Sequence, residues 1–155
     1  MTAKRLIIVS DNHGKIQPLS YILSLRQQDD ILIHCGDSNL IPSLTKGFAI
    51  VQGNTDPYGM YPGELVLEIN EHVILVTHGH LDLRNGIEAL VKRAKRYGCD
   101  IVCYGHTHIP DDETIDGIRL LNPGSLSNNR DGSSPSYMVV DLAEGEFEVT
   151  LMRYE

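Results

Sequence analysis

No apolar run in this chain approaches the roughly 20 residues that a bilayer-spanning helix requires. Lys4 and Arg5 precede an apolar stretch, but Leu6 to Val9 is far too short for a signal-peptide core and runs into charged Asp11. It reads as a first strand, and the expected location is the cytoplasm. Cysteine is scarce as well. Cys35, Cys99 and Cys103 leave an odd count, which argues against a complete disulfide framework. The spacing of Cys99 and Cys103 is not that of a zinc ribbon, and both sit in or beside an apolar run, so they read as small core residues. Positive charge is the third shortage: 13 Lys and Arg stand against 21 Asp and Glu, a net charge of −8 with histidine neutral. No basic cluster with interleaved aromatics offsets it. Long nucleic acids and anionic membranes are therefore disfavoured partners. A small anionic substrate is not, because bound metal ions can reverse the sign of a pocket locally. Internal repeats and low-complexity segments are also missing.

What remains is an ordinary globular balance, 41% apolar and 22% charged over 155 residues, which fits one domain spanning 1–155. A domain of this length can remove about 68–70% of its extended-chain surface from water. Short runs rich in Ile, Val and Leu recur at Leu6–Val9, Ile31–Ile33, Phe48–Val51, Val73–Val76 and Ile101–Tyr104. They are near-continuous rather than alternating, as in strands buried on both faces. Lys15–Gln28 predicts a helix through Ile16, Leu19, Ile22 and Leu23, with Pro18 tolerable near its first turn. Gly86–Tyr97 predicts a second, with Ile87, Leu90, Val91 and Ala94 as its apolar stripe and a solvated basic face. The second half turns strand-rich, at Glu64–Ile69, Glu113–Ile115, Arg119–Leu121, Ser136–Asp141 and Glu146–Met152. Asp116-Gly117 and Ala143-Glu144-Gly145 read as hairpin turns. Alternation followed by strands predicts an α/β sandwich of two sheets flanked by helices, rather than a simple doubly wound sheet.

The chemistry sits where these runs end. The first is followed by Asp11-Asn12-His13-Gly14, the second by Gly36-Asp37, the third by Gly53-Asn54-Thr55-Asp56, the fourth by His78-Gly79-His80 and the fifth by Gly105-His106-Thr107-His108. Any one of these has a bland reading. Asp11 could cap a helix, and Gly36-Asp37 and Gly53-Asn54 are ordinary turn dipeptides. Five in order have no such reading, because parallel strand ends converge on one edge of a sheet, where ligands bind. Asp11, His13, Asp37, Asn54, His78, His106 and His108 offer carboxylate, imidazole and amide oxygen without thiolate, a reactive metal site rather than structural zinc. Seven ligands exceed the needs of one tetrahedral ion and suit two ions sharing a carboxylate, about 3.5–4 Å apart. Two divalent ions would outweigh two carboxylates and a hydroxide, leaving a locally positive pocket for an anionic ester. A dinuclear peptidase or amidohydrolase meets the same arithmetic.

The order Asp-x-His, Gly-Asp, Gly-Asn-x-Asp, His-Gly-His, Gly-His-Thr-His resembles the calcineurin-like metallophosphoesterases, in particular their compact bacterial and archaeal phosphodiesterase branch. Asn122-Pro123-Gly124-Ser125 extends the likeness. The resemblance implies a four-layer α-β-β-α sandwich with two mixed β-sheets. It implies that Asp11, His13 and His108 hold one ion, Asn54, His78 and His106 the other, and that Asp37 bridges both. Manganese is the favoured metal, with nickel, iron, zinc, cobalt or magnesium as alternatives, and a bridging hydroxide would attack the phosphorus of a small phosphate ester. One departure bears on mechanism. Many members carry a His after Gly-Asn that protonates the leaving group, whereas this chain has Thr55, whose hydroxyl is too weak an acid. His80 is a candidate substitute acid, Asp56 a candidate for orienting Asn54 or a ligand histidine, and Arg130 a candidate phosphate grip in the loop from Asn122 to Pro135. His34 and His72 read as structural, the first within a strand and the second in a turn. Tyr58, Met60 and Tyr61 could serve a homo-oligomer interface or pack over the site. Two rivals share the pattern: a non-catalytic interaction scaffold of the same fold, as in a eukaryotic retromer subunit, and a nuclease.

Overall fold

The computed structural model describes residues 3–155. The chain runs β1 (Arg5–Val9), α1 (Ile16–Leu25), β2 (Asp30–His34), β3 (Phe48–Ile50), β4 (Glu64–Ile69), β5 (His72–Thr77), α2 (Ile87–Arg96), β6 (Ile101–Cys103), β7 (Asp111–Ile115), β8 (Ile118–Asn122), β9 (Ser136–Asp141) and β10 (Glu148–Arg153). Two five-stranded sheets result, ordered β10-β9-β1-β2-β3 and β4-β5-β6-β8-β7. In the first, β1, β2 and β3 run parallel, β9 runs antiparallel to β1, and β10 runs antiparallel to β9. In the second, β5, β6 and β8 run parallel, with β4 and β7 antiparallel at the edges. Both sheets are mixed.

Alternation along each strand sorts the core into three layers. Leu6, Ile8 and Ile33 of the first sheet meet Ile74, Val76, Ile101, Cys103 and Leu121 of the second. On the outer face of the first sheet, Ile7, Val9 and Leu32 pack against Leu19 and Ile22 of α1. On the outer face of the second, Leu75, Val102 and Leu120 pack against Leu90, Val91 and Ala94 of α2. Helix, sheet, sheet and helix thus form the four layers that the resemblance implies, and strands buried on both faces explain the unbroken apolar runs. Each fully buried Leu or Ile here contributes about 1.5–3 kcal/mol.

Two sequence expectations need correcting. The first helix ends at Leu25, not Gln28. Arg5 Nη2 of β1 caps the carbonyl of Leu25 (2.9 Å), and Asp30 Oδ2 of β2 accepts from the amide of Gln27 just past the helix (2.9 Å). His72 is the first residue of β5, paired with Ile69, rather than part of a turn. Its Nδ1 meets Asp100 Oδ2 at 2.7 Å, a structural contact where β5 and β6 begin, while the motifs follow where those strands end. The Asp116-Gly117 hairpin has positive φ at both positions (52° and 79°), as a two-residue turn of this kind requires.

Candidate metal centre

Six parallel strands, three in each sheet, end on the same edge of the sandwich, and their following loops carry all seven candidate ligands. The turns are tight. Asp11, His13, Asp37, His106 and His108 all adopt positive φ, between 44° and 73°, a region that non-glycine residues seldom occupy. Strain of this kind clusters at functional sites because the surrounding structure must hold it in place. Two glycines allow the close approach. A Cβ on Gly53 would overlap the Asp37 carboxylate, and one on Gly105 would overlap the Ser10 hydroxyl and crowd Asp11 Oδ2.

The side chains converge. Asp11 Oδ1 lies 3.3 Å from His108 Nε2, 3.6 Å from His13 Nε2 and 3.8 Å from His78 Nε2. Asp37 Oδ2 lies 3.2 Å from His78 Nε2 and 3.9 Å from His13 Nε2. Asn54 Oδ1 lies 3.0 Å from His78 Nε2 and 3.2 Å from His106 Nδ1. Asp11, His13 and His108 form one group with ligand atoms within 4.8 Å of one another, and Asp11, Asp37 and His78 form a second. All seven residues are brought to one edge.

The back of each ring decides what its front can do. His13 Nδ1 lies 3.1 Å from Asn39 Oδ1, whose amide nitrogen is turned to Thr55. His108 Nδ1 lies 2.8 Å from the carbonyl of Asn128, and His78 Nδ1 lies 2.8 Å from the carbonyl of Cys35. Each partner only accepts, so each Nδ1 donates, and each neutral ring presents a bare Nε2 lone pair to the centre. The lone pairs of His13 and His108 then face each other at 3.1 Å. Asp11 Oδ1 is buried and has no hydrogen-bond donor at all. A buried set of acceptors aimed at one another is unstable unless a cation lies between them. Divalent ions fit that demand, and protons are the substitute. Accordingly, the contact with Asp11 raises the pKa of His13. Burial pulls His78 down, yet Asp37 and Asp11 outweigh it and its pKa is raised too. Burial likewise opposes ionisation of Asp11 and Asp37, but the facing histidines outweigh it and hold both below the ordinary carboxylate range.

The other candidates divide. Asp56 is buried, and its carboxylate bonds neither Asn54 nor a histidine. Its oxygens accept from the amides of Gly53 (2.8 Å), Asn39 (2.8 Å) and Asp37 (3.0 Å), which ties the loops after β2 and β3 together. His80 is half-buried beside His78, ring centroids 5.4 Å apart, with its Nδ1 unpartnered. Burial first, then the charge of His78, lowers its pKa. Arg130 is exposed, and its main-chain amide donates to the carbonyl of His108 (2.9 Å). Ser125 is buried, and its hydroxyl donates to the carbonyl of Asp11 (2.7 Å). His34, buried within β2, bonds Asn12 at 2.7 Å and accepts from the Gly36 amide at 3.0 Å, beneath the ligand loops. Tyr61 is tied down through its hydroxyl to the carbonyl of Leu40 (2.7 Å), whereas Tyr58 is fully exposed. Sequence reasoning missed Asn39, Ser127 and the two main-chain carbonyls. Only Asn39, two residues after Gly36-Asp37, left any signal.

A buried, cation-demanding edge of carboxylates, imidazoles and an amide on an α-β-β-α sandwich fits a metal-dependent hydrolase. The chain belongs to the calcineurin-like phosphoesterase superfamily, whose domain model matches residues 5–145. It is a metal-dependent phosphoesterase. The chain is 37% identical to the probable metallophosphoesterase YsnB of Bacillus subtilis (strain 168), covering 88% of this chain and 83% of that protein. It is 28% identical to the phosphodiesterase YfcE of Escherichia coli (strain K12), covering 88% and 87%. A solved structure from Streptococcus pneumoniae TIGR4, described as a predicted phosphoesterase, superposes with a TM-score of 0.89 at 33% identity, covering 99% of this chain and 91% of that one. Among the described residues, no helix is long and apolar enough to cross a membrane.

Proposed function

We propose that the chain is a two-ion phosphodiesterase acting on small phosphodiesters in the cytoplasm. Asp11, His13 and His108 would hold one ion, Asn54, His78 and His106 the other, with Asp37 between them. The observation that carries this reading is the set of bare acceptors around the unpartnered Asp11 Oδ1. Manganese is the first candidate. Such ions supply Lewis acidity toward a phosphoryl oxygen and a water of lowered pKa.

The chain's own residues do the rest. Asn39 and the carbonyls of Cys35 and Asn128 fix the histidine tautomers, as partners behind metal-binding imidazoles do. Asp56 sets the loop that carries Asp37, and the amide of Thr55 donates to Asp37 Oδ1 at 2.9 Å, orienting that carboxylate. Thr55 Oγ1 accepts from Asn39 at 3.0 Å and supplies no acid for a leaving group. His80, held toward its neutral form by burial, suits hydrogen-bond donation to substrate rather than proton delivery. Without a strong acid, aryl esters should turn over much faster than alkyl esters. Comparable rates on dialkyl and bis-aryl phosphodiesters would count against this.

The direct test is to strip metals and assay bis-p-nitrophenyl phosphate with added Mn, Ni, Co, Zn or Mg, beside Asp37→Asn and His106→Ala. Activity restored by metal and lost in both variants supports the proposal. A folded chain that binds no divalent ion and hydrolyses nothing would favour the interaction-scaffold reading.

A further inference from the structure

A cleft of about 590 Å³ opens beside the ion edge, a volume within the range of small-molecule pockets. Asn54 and His80 line its inner end, Glu64, Asp82 and Arg93 line its wall, and Tyr58 stands at its rim. Arg93 is the only Lys or Arg in the lining. An arginine beside a phosphoesterase centre would ordinarily offer its fork to a second anionic group on the substrate. Here the fork is already filled. Arg93 Nε and Nη2 donate to the two oxygens of Asp82 at 2.8 and 3.0 Å, and Nη1 donates to Glu64 at 3.2 Å. Two carboxylates thus neutralise and outnumber the one guanidinium. Asp56 adds a third, buried in its cage of amides. Apart from His80, the ionised lining is net negative, which opposes the positive ion pair expected at the inner end.

We propose that this cleft holds the second ester arm of a phosphodiester and selects an uncharged or cationic alcohol against an anionic one. The inference rests on the phosphodiesterase reading above. The phosphoryl group lies at the ion edge, and the arm extends along Glu64 and Asp82. A terminal carboxylate or phosphate on that arm meets two carboxylates and a guanidinium whose charge both of them already engage. A hydroxyl or ammonium group meets acceptors, and the Tyr58 ring at the rim offers a face to a cation. The charge pattern therefore sorts substrates by their non-reacting half.

The test uses the full chain loaded with Mn²⁺ and three p-nitrophenyl phosphodiesters that differ only in the second arm: 2-aminoethyl, 2-hydroxyethyl and carboxymethyl. The kcat/KM values for the first two should exceed that for the third by roughly tenfold, and the gap should shrink as salt is added. In the Glu64→Gln, Asp82→Asn double variant, Arg93 is released, and the carboxymethyl ester should gain relative to both other esters. Glu64→Gln alone should move the ratio in the same direction. A wild-type preference for the carboxymethyl ester, or a ratio untouched by either variant, overturns the proposal. Calorimetric titration with 3-aminopropylphosphonate and 3-phosphonopropionate reads the same preference without turnover: tighter binding of the amine supports it, and tighter binding of the acid overturns it. Hydrolysis of none of the three esters would sink the phosphodiesterase reading instead, leaving calorimetry to decide the cleft.

Discussion

The two halves of the ion edge are built to different standards. Around Asp11, His13 and His108 every ring is held from behind, and the Asp11 carbonyl itself accepts from the hydroxyls of Ser125 and Ser127 at 2.7 and 3.0 Å. Around Asn54 and His106 the residues are more exposed, and the His106 ring has one hydrogen-bond partner, Asn54 itself, at 3.2 Å. His78 stands between, buried and braced by the Cys35 carbonyl. One half is pre-organised, and the other can adjust. Rigid ligands release less conformational freedom on binding an ion, so the braced half should bind first and the exposed half should exchange with solvent and substrate.

The largest disturbance should come from Gly53→Ala, which strikes the floor shared by both halves. The added methyl displaces Asp37, and a shift near 1 Å in a reacting group can lower turnover about 100-fold. Overpacking should also remove roughly 1–3 kcal/mol of stability. Turnover with saturating metal, measured alongside urea unfolding, checks both. Next comes acid. Burial depresses the pKa of His34 from 6.5 to about 4, so the unfolded chain binds a proton there that the folded chain refuses. Stability from this group is intact above about pH 6.5, declines as pH falls, and is fully lost near pH 4, where the penalty reaches about 3 kcal/mol. Because His34 supports Asn12 and Gly36 beneath the braced half, unfolding measured at stepped pH should show a slope that His34→Gln flattens.

The comparison itself is sharpened by Asn39→Ala, which frees His13 Nδ1. Competition titration should show the tighter of two ions weakened by about 10- to 100-fold, and Asn39→Asp, which keeps an acceptor, should restore most of it. His106→Ala should abolish the weaker ion and leave the tighter one nearly unchanged. Equal affinities in the wild type, or a weaker ion that responds to Asn39→Ala while the tighter does not, would break the distinction. The smallest effect belongs far away. Lys95→Met removes an exposed 3.4 Å pair with Asp116, and thermal unfolding should change by less than about 0.5 kcal/mol, with turnover unmoved.

The same division decides what could be seen in the sequence. The strands were legible because burial on both faces leaves runs such as Leu6–Val9 and Val73–Val76 without polar interruption. The motif residues were legible because parallel strands must end together. What supports them was not. The Cys35 and Asn128 carbonyls are main-chain groups that any residue carries, and Asp56 could not be told from a turn residue until its partners, three backbone amides, were in place. The cleft draws Glu64, Asp82 and Arg93 from a strand, a turn and a helix, so no local pattern announces it. The early stop of α1 depended on Arg5, twenty residues upstream of Leu25.

The placement of β9 has a consequence for how the molecule comes into being. β1 is the central strand of its sheet, yet one of its neighbours, β9, pairs Leu6 with Val140 and Ile8 with Met138. That partner leaves the ribosome only after the whole second sheet has been made. During synthesis, β1 can therefore lean on β2 alone, with its other edge open to any extended segment. Pairings so distant along the chain slow folding. The serines that grip the Asp11 carbonyl also follow the whole second sheet, so a ligand translated well before them waits for them to acquire the geometry that binds an ion.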